Sequence, residues 1–315
     1  MKDREGIVTK VFRHPAVRNV AALYGVQIAN YIFPLITIPY VTRVLRPDGW
    51  GMVVFAQSLA MWLSLVLEYG FGLSATRDIA RNREDRNYLT QVAAGVLGAK
   101  GILAFGTLLA ALILYRLVPV LQQFPSYLLI AWVSAVAQGL NPLWYFQGTE
   151  RLQLPATLSI GSRFFAAILT FVIVQGQNDG GQLLALQAVS ALLASIVAIT
   201  WMYREIPFRW PKFEETLFAL RSGWTMFFFR SAVSLYTTAN GFILGLFVAP
   251  AMIGFYGGAE KINKAFLAML NPISQVLYPR MNYLIVRDSK RAARLAYLSL
   301  ILMGGIGLGL GGIVA

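Results

Sequence analysis

The chain has 315 residues, of which 57% are hydrophobic and 13% are charged, about half the charged share of a typical soluble domain. Its formal net charge is +13, but the basic residues are dispersed along the chain, which argues against a nucleic-acid-binding patch. It has no cysteine and one histidine, which excludes disulfides and thiol catalysis and argues against a Ser-His pair or a His-rich metal site. We therefore predict no catalytic residue, no metal site and no cofactor.

Nine apolar runs predict an all-α polytopic membrane protein. Each run is near the roughly 20 residues that a helix needs to cross about 30 Å of hydrocarbon. The first follows a charged tail and is too long for a signal peptide, so we interpret it as a retained span. The predicted spans are Val20–Val41, Met52–Phe71, Val92–Val118, Tyr127–Phe146, Leu154–Val174, Leu183–Met202, Trp224–Phe247, Met252–Leu277 and Leu295 to the end.

Lysine and arginine are concentrated in alternate connections between the predicted spans. The N-terminal tail carries five, the connections after spans two, six and eight carry four, four and five, and the connection after span four carries Arg151. The opposite connections carry only Arg43, Arg46 and Arg116. Because positively charged loops stay in the cytoplasm, we predict a multi-pass protein with a cytoplasmic N-terminus.

The sequence also repeats weakly, at one constant shift that places Arg18 on Arg221. Six spans precede the shift point and three follow it, so both copies begin in the cytoplasm, as in parallel repeats of two-lobed transporters. The other pairs that coincide are Pro47/Pro250, Gly51/Gly254, Ala56/Ala259, Arg77/Arg280 and Gly101/Gly304. We predict a cytoplasmic amphipathic tail at 1–19, a complete six-helix lobe at 20–202, a cytoplasmic interlobe linker at 203–223, and the first three helices of a second lobe at 224–315.

Four motifs carry a resemblance to a known family: "LEYGFGLSATRDIARNRED", "NPLWYFQGTER", "GFYGGAEKINKAF" and "PISQVLYPR". Together they resemble the lipid-linked oligosaccharide flippases of the polysaccharide transporter family, in the multidrug/oligosaccharidyl-lipid/polysaccharide exporter superfamily. The resemblance implies two six-helix lobes in the bacterial inner membrane that move an undecaprenyl-pyrophosphate-linked O-antigen or similar repeat unit to the periplasmic leaflet. It implies membrane lipids, a polysaccharide polymerase and a chain-length regulator as partners. Members usually have twelve or more spans, so we expect this chain to be a fragment or a truncated product.

Five basic residues fall inside predicted spans: Lys100, Arg163, Arg230, Lys261 and Lys264. A charge at the bilayer centre costs at least about 2.5–3.5 kcal/mol, so such residues usually face protein or water. Lys100, Arg163 and Lys261 fall about ten residues into their spans, roughly 15 Å deep, which is the midplane. We predict a cationic cavity that binds the substrate's pyrophosphate. The two carboxylates nearby, Glu68 and Glu260, are candidates for ion coupling.

Other roles for these charges remain open. Glu260 and Lys264 are four residues apart and could neutralise each other. Arg230 could snorkel to the cytoplasmic interface, and Lys100 could pair with a carboxylate in further helices.

Two other classes of function also compete with a flippase. A small-molecule exporter of the same superfamily is expected to have a carboxylate-rich cavity. A membrane enzyme of polysaccharide assembly is expected to have a large extramembrane loop or clustered aspartates.

Overall fold

The structure, a computed structural model, describes residues 15–237, 240–264, 293–294, 296–301 and 304–305. Within these ranges every regular element is a helix. The last part of predicted span eight and most of span nine lie outside the described residues. The helices are α1 (Pro15–Glu68), α2 (Phe71–Arg81), α3 (Arg86–Leu117), α4 (Pro119–Gln123), α5 (Pro125–Leu140), α6 (Leu143–Gly148), α7 (Gln153–Ile173), α8 (Gly180–Glu205), α9 (Phe213–Thr237) and α10 (Asn240–Gly245).

Four helical stretches in the described part are long and apolar enough to cross a membrane: Ile28–Arg81, Arg86–Leu117, Gln153–Ile173 and Gly180–Glu205. The first contains 54 residues, and at a rise of about 1.5 Å per residue its length exceeds twice the hydrocarbon thickness. Its helix α1 is interrupted at Arg46, whose φ of 57° and ψ of 172° are not helical. Pro47 follows directly, and the residue before a proline avoids the helical region. The predicted ten-residue connection between spans one and two is therefore a break at one residue.

Each of the predicted spans three to seven corresponds to one helix or to two consecutive helices. Spans three, five and six correspond to α3, α7 and α8, whereas span four is divided into α5 and α6 at Asn141 and Pro142. Span seven corresponds to α9 and α10. The chain is thus a multi-pass helical membrane protein, while its nine-span, two-lobed arrangement remains a prediction.

Helices α1, α5, α7 and α8 pack together as a bundle. Extensive contacts join α1 to α5 and α7, α5 to α8, and α7 to α8. Val53, Phe55 and Leu67 of α1 are fully buried in the core of this bundle. Helix α9 packs on α3 and α2.

The chain divides into two compact units, residues 1–257 and 258–315. All ten named helices lie in the first unit. Within the second unit, residues 258–264 are helical.

Ion pairs group the helix ends as the charge pattern predicts. Arg83 in the connection after span two lies 3.4 Å from Glu150 in the connection after span four. Arg151 lies 2.8 Å from Glu205 at the end of α8. All three connections were assigned to the cytoplasm, so the structure brings them to one end of the bundle.

The two copies of the repeat touch at equivalent positions. A Cβ added to Gly254 would lie 2.6 Å from the carbonyl oxygen of Pro47, and one added to Gly51 would overlap the carbonyl of Pro250. The proline of each copy therefore contacts the glycine of the other copy, and this reciprocal contact is the one expected across a two-fold axis. Both contacts need glycine, because any side chain would push the two backbones apart.

Candidate functional site

Lys100 is buried, with only 4% of the residue exposed. Its Nζ donates a 3.5 Å hydrogen bond to the carbonyl oxygen of Asn141 and lies 6.0 Å from the centre of the Trp144 ring. The carboxylate of Glu68 adds an electrostatic attraction. Asn141 stands at the break between α5 and α6, where Pro142 interrupts the helical hydrogen bonds. In this structure Lys100 thus stabilises the helix break, and its role in substrate binding remains a prediction.

The "NPLWYFQGTER" motif that follows the break is a buried packing element. Trp144, Tyr145 and Phe146 of α6 are each 5% exposed or less. The Trp144 carbonyl accepts a 3.1 Å hydrogen bond from the Thr76 hydroxyl of α2. The Tyr145 hydroxyl donates a 3.0 Å hydrogen bond to Glu205, the partner of Arg151. These bonds tie α6 to α2 and α8, so the motif has a structural role that its sequence alone did not reveal.

Arg230 of α9 forms an ion pair with Glu68 at the end of α1. The Nη1 to Oε2 distance is 2.7 Å, and the two side chains are 39% and 43% exposed. This pair joins one of the predicted cavity cations to one of the two carboxylates considered for ion coupling. It was not predicted from the sequence, because the two residues are far apart along the chain and share no motif.

Arg163 lies on an exposed part of α7, next to exposed Phe164 and Phe165. Within the described part of the chain it has no ion-pair partner. Its role in substrate binding remains a prediction.

The remaining predicted cations belong to the second compact unit. Lys264 lies 2.8 Å from the Glu260 carboxylate, four residues earlier on the same helix. The mutual neutralisation considered from the sequence is thus present in the structure. Lys261 directly follows Glu260, and its role in substrate binding remains a prediction.

A cavity of about 260 Å³ lies between α2, α3 and α9, and none of the five predicted cations is among its lining residues. Its polar lining includes the carboxylates Asp78, Glu214 and Glu215, beside apolar groups such as Phe71 and Phe218. Asp78 pairs with Arg77 at 3.2 Å, and Glu215 pairs with Arg209 at 2.9 Å. Two of its three carboxylates are therefore already neutralised.

A family model for polysaccharide biosynthesis proteins matches residues 16–284. The chain belongs to the polysaccharide biosynthesis protein family. A protein of Escherichia coli (strain K12) named "Putative O-antigen transporter" is 32% identical to it over 295 residues, which cover 92% of this chain and 70% of the relative. A protein of the same name in Shigella dysenteriae is 29% identical over 273 residues, covering 85% and 67%. No solved structure matches.

The family match extends across the sites described above. It includes the Glu68–Arg230 pair, the Lys100 environment and the Pro47–Gly254 contact, which all lie within residues 16–284. Membership in the polysaccharide biosynthesis protein family confirms the resemblance found in the four sequence motifs. It does not assign a role to any individual residue.

Proposed function

We propose that this protein is a flippase that moves an undecaprenyl-pyrophosphate-linked oligosaccharide, an O-antigen or related repeat unit, across the bacterial inner membrane. The single observation that carries the proposal is the family match together with relatives named as O-antigen transporters. The chain acts as a transporter and not as an enzyme. Its N-terminus is cytoplasmic, and its substrate moves by alternating access between two lobes.

The chemistry of the membrane-embedded cations supports this substrate. A pyrophosphate headgroup is anionic, so lysine and arginine within the membrane attract it while the polyprenyl tail stays in lipid. Arg163 and Lys261 are the proposed cavity cations, each about ten residues into its predicted span. Lys100, Arg230 and Lys264 are proposed to contact substrate when the hydrogen bond and ion pairs described above are exchanged.

Contact between the repeats supports the two-lobed arrangement. A parallel repeat that forms two lobes places equivalent residues of the two copies on either side of a common axis. Gly51 and Gly254 approach each other in this way. This contact lies at the end of the bundle that the charge pattern assigns to the periplasm, so we propose that it closes the pathway on that side.

One observation favours a second candidate, an exporter of small cationic molecules. The cavity between α2, α3 and α9 is lined by three carboxylates, the feature expected of such an exporter. Asp78 and Glu215 are already paired with arginines, which leaves Glu214 to attract a cation. We therefore favour the flippase.

Complementation tests the proposal. The gene is expressed in a strain that lacks its own O-antigen flippase, and surface polysaccharide is measured per unit of membrane-inserted protein. Restored surface polysaccharide supports the flippase. Resistance to cationic drugs without surface polysaccharide would instead support the exporter.

A further inference from the structure

The turn between α1 and α2 is strained and is covered by α9. Tyr69 has a φ of 44°, a left-handed conformation that residues other than glycine rarely adopt, and Gly70 follows with a φ of 77°, which glycine adopts without strain. A Cβ added to Gly223 of α9 would lie 2.7 Å from the carbonyl oxygen of Tyr69. The Tyr69 ring stacks on Phe227 of α9, with centroids 4.8 Å apart and planes 16° apart. Close packing by α9 thus holds this turn.

The Glu68–Arg230 ion pair lies beside the same crossing. Glu68 is the residue before Tyr69, and Arg230 follows Phe227 by one helical turn. Because both side chains are partly exposed, another anion can reach the arginine without first opening the helix bundle. The Glu68 carboxylate also attracts Lys100, so this one carboxylate interacts with two cations, Lys100 and Arg230. The local excess of positive charge favours a ligand with more negative charge than one carboxylate.

We infer that phosphate groups of a lipid-linked substrate displace Glu68 from Arg230, and that this exchange releases α9 from the α1–α2 turn. The inference rests on the proposed flippase function and adds a recognition step to it. Arginine binds carboxylate and phosphate through the same planar set of donors, so Glu68 occupies a site that phosphate oxygens also fit. Glu68 is near the predicted cytoplasmic end of span two, and Arg230 is a turn or two from the cytoplasmic end of span seven, so the pair lies close to the layer of lipid headgroups.

Release of α9 follows from the packing. When Glu68 is displaced, the ion pair between Glu68 and Arg230 is lost. Close packing and ring stacking with α9 then hold the strained Tyr69–Gly70 turn without that ion pair. Strain of this kind persists only where surrounding contacts maintain it. Binding of phosphate therefore favours a conformation in which α9 has moved away from α2.

Cross-linking tests the inference directly, because the chain contains no cysteine. Arg77 of α2 and Ser222 of α9 are replaced by cysteine; their native side chains lie 3.4 Å apart, from Nη2 to Oγ. The initial rate of linkage by a short bifunctional thiol reagent is measured on this double variant in vesicles. We expect Glu68→Gln to lower that rate about two- to fivefold, the range for a partly exposed ion pair. Undecaprenyl pyrophosphate in the vesicles should lower it similarly when Glu68 is present, and should have little further effect in Glu68→Gln.

Matched controls separate the outcomes. Arg151→Gln removes an exposed arginine from another ion pair at the same end of the bundle and should leave the linkage rate unchanged. Vesicles with phosphatidylglycerol, and buffer with inorganic pyrophosphate, should have less effect than undecaprenyl pyrophosphate. An equal effect of phosphatidylglycerol would overturn the inference in favour of an ordinary phospholipid site. An unchanged rate in Glu68→Gln would also overturn it, even if complementation succeeds. A rate that responds as expected while complementation fails would refute the flippase function alone.

Discussion

The backbones of Gly51 and Gly254 are in direct contact, although the two residues are far apart in the sequence. A Cβ added to Gly254 would lie 3.2 Å from the nitrogen and 3.4 Å from the Cα of Gly51. The two glycines are equivalent positions of the internal repeat. The structure therefore brings one pair of positions that the repeat aligns into contact.

Replacement of either glycine by alanine should destabilise the protein, and Gly51→Ala should do so more, because its added Cβ would overlap the Pro250 carbonyl. The added methyl group would meet the backbone of the other copy, and overpacking of this kind costs about 1–3 kcal/mol. We expect Gly51→Ala and Gly254→Ala each to lower the melting temperature of the purified protein. Gly106→Ala is the matched control, because a Cβ there has no neighbour within 4 Å. Normal stability of both variants would show that the two backbones can separate freely.

The charge pattern predicts the topology. Asn82, in the connection after α2, is assigned to the cytoplasm, and Asn178, in the connection between α7 and α8, to the periplasm. Both residues are exposed in the structure. In intact spheroplasts, a membrane-impermeant thiol reagent should label Asn178→Cys and should not label Asn82→Cys. Permeabilised cells provide the control, and labelling of Asn82→Cys alone would reverse the orientation.

Lys100 and Arg163 should differ in their effect on stability. Lys100→Met leaves the Asn141 carbonyl buried without its donor, which costs about 1–3 kcal/mol. Arg163 is exposed and has no ion pair within the described residues, so Arg163→Met should change stability by less than about 0.5 kcal/mol. Thermal unfolding of the two variants in the same detergent measures this difference. Equal melting temperatures would contradict the structural role assigned to Lys100.

Positive charge at Arg163 and Lys261 should be needed for transport. Arg163→Lys and Lys261→Arg keep the charge and should keep appreciable activity, because water-mediated contacts tolerate a change of donor geometry. Arg163→Ala and Lys261→Ala should lose most activity while the protein remains in the membrane, and glutamate should be worse than alanine because it repels phosphate. Surface polysaccharide per unit of inserted protein is the measurement. Wild-type values in both alanine variants would rule out the cationic cavity at these positions.

Several features could be predicted from the sequence because they depend on local composition. Uninterrupted apolar runs predicted α3, α7 and α8 close to their observed bounds, since a helix in lipid must satisfy its own backbone hydrogen bonds. The family was identified from short motifs, and the constant shift of the repeat aligned Gly51 with Gly254 as one of six coincident pairs. The break at Arg46 was placed only within a ten-residue connection, because the sequence does not indicate how few residues will leave the helix.

Tertiary structure decided which charged groups meet. From the sequence, Lys100 and Arg230 were both cations inside apolar runs and both were candidates for a substrate cavity, although only Lys100 fell at the depth of the midplane. The structure pairs Arg230 with Glu68 across two helices and places Lys100 on the carbonyl of Asn141. Hydrophobicity depends on each residue's own side chain and can be predicted along the chain. The partner of a buried charge depends on which helices cross, and that is fixed by packing between segments far apart in the sequence.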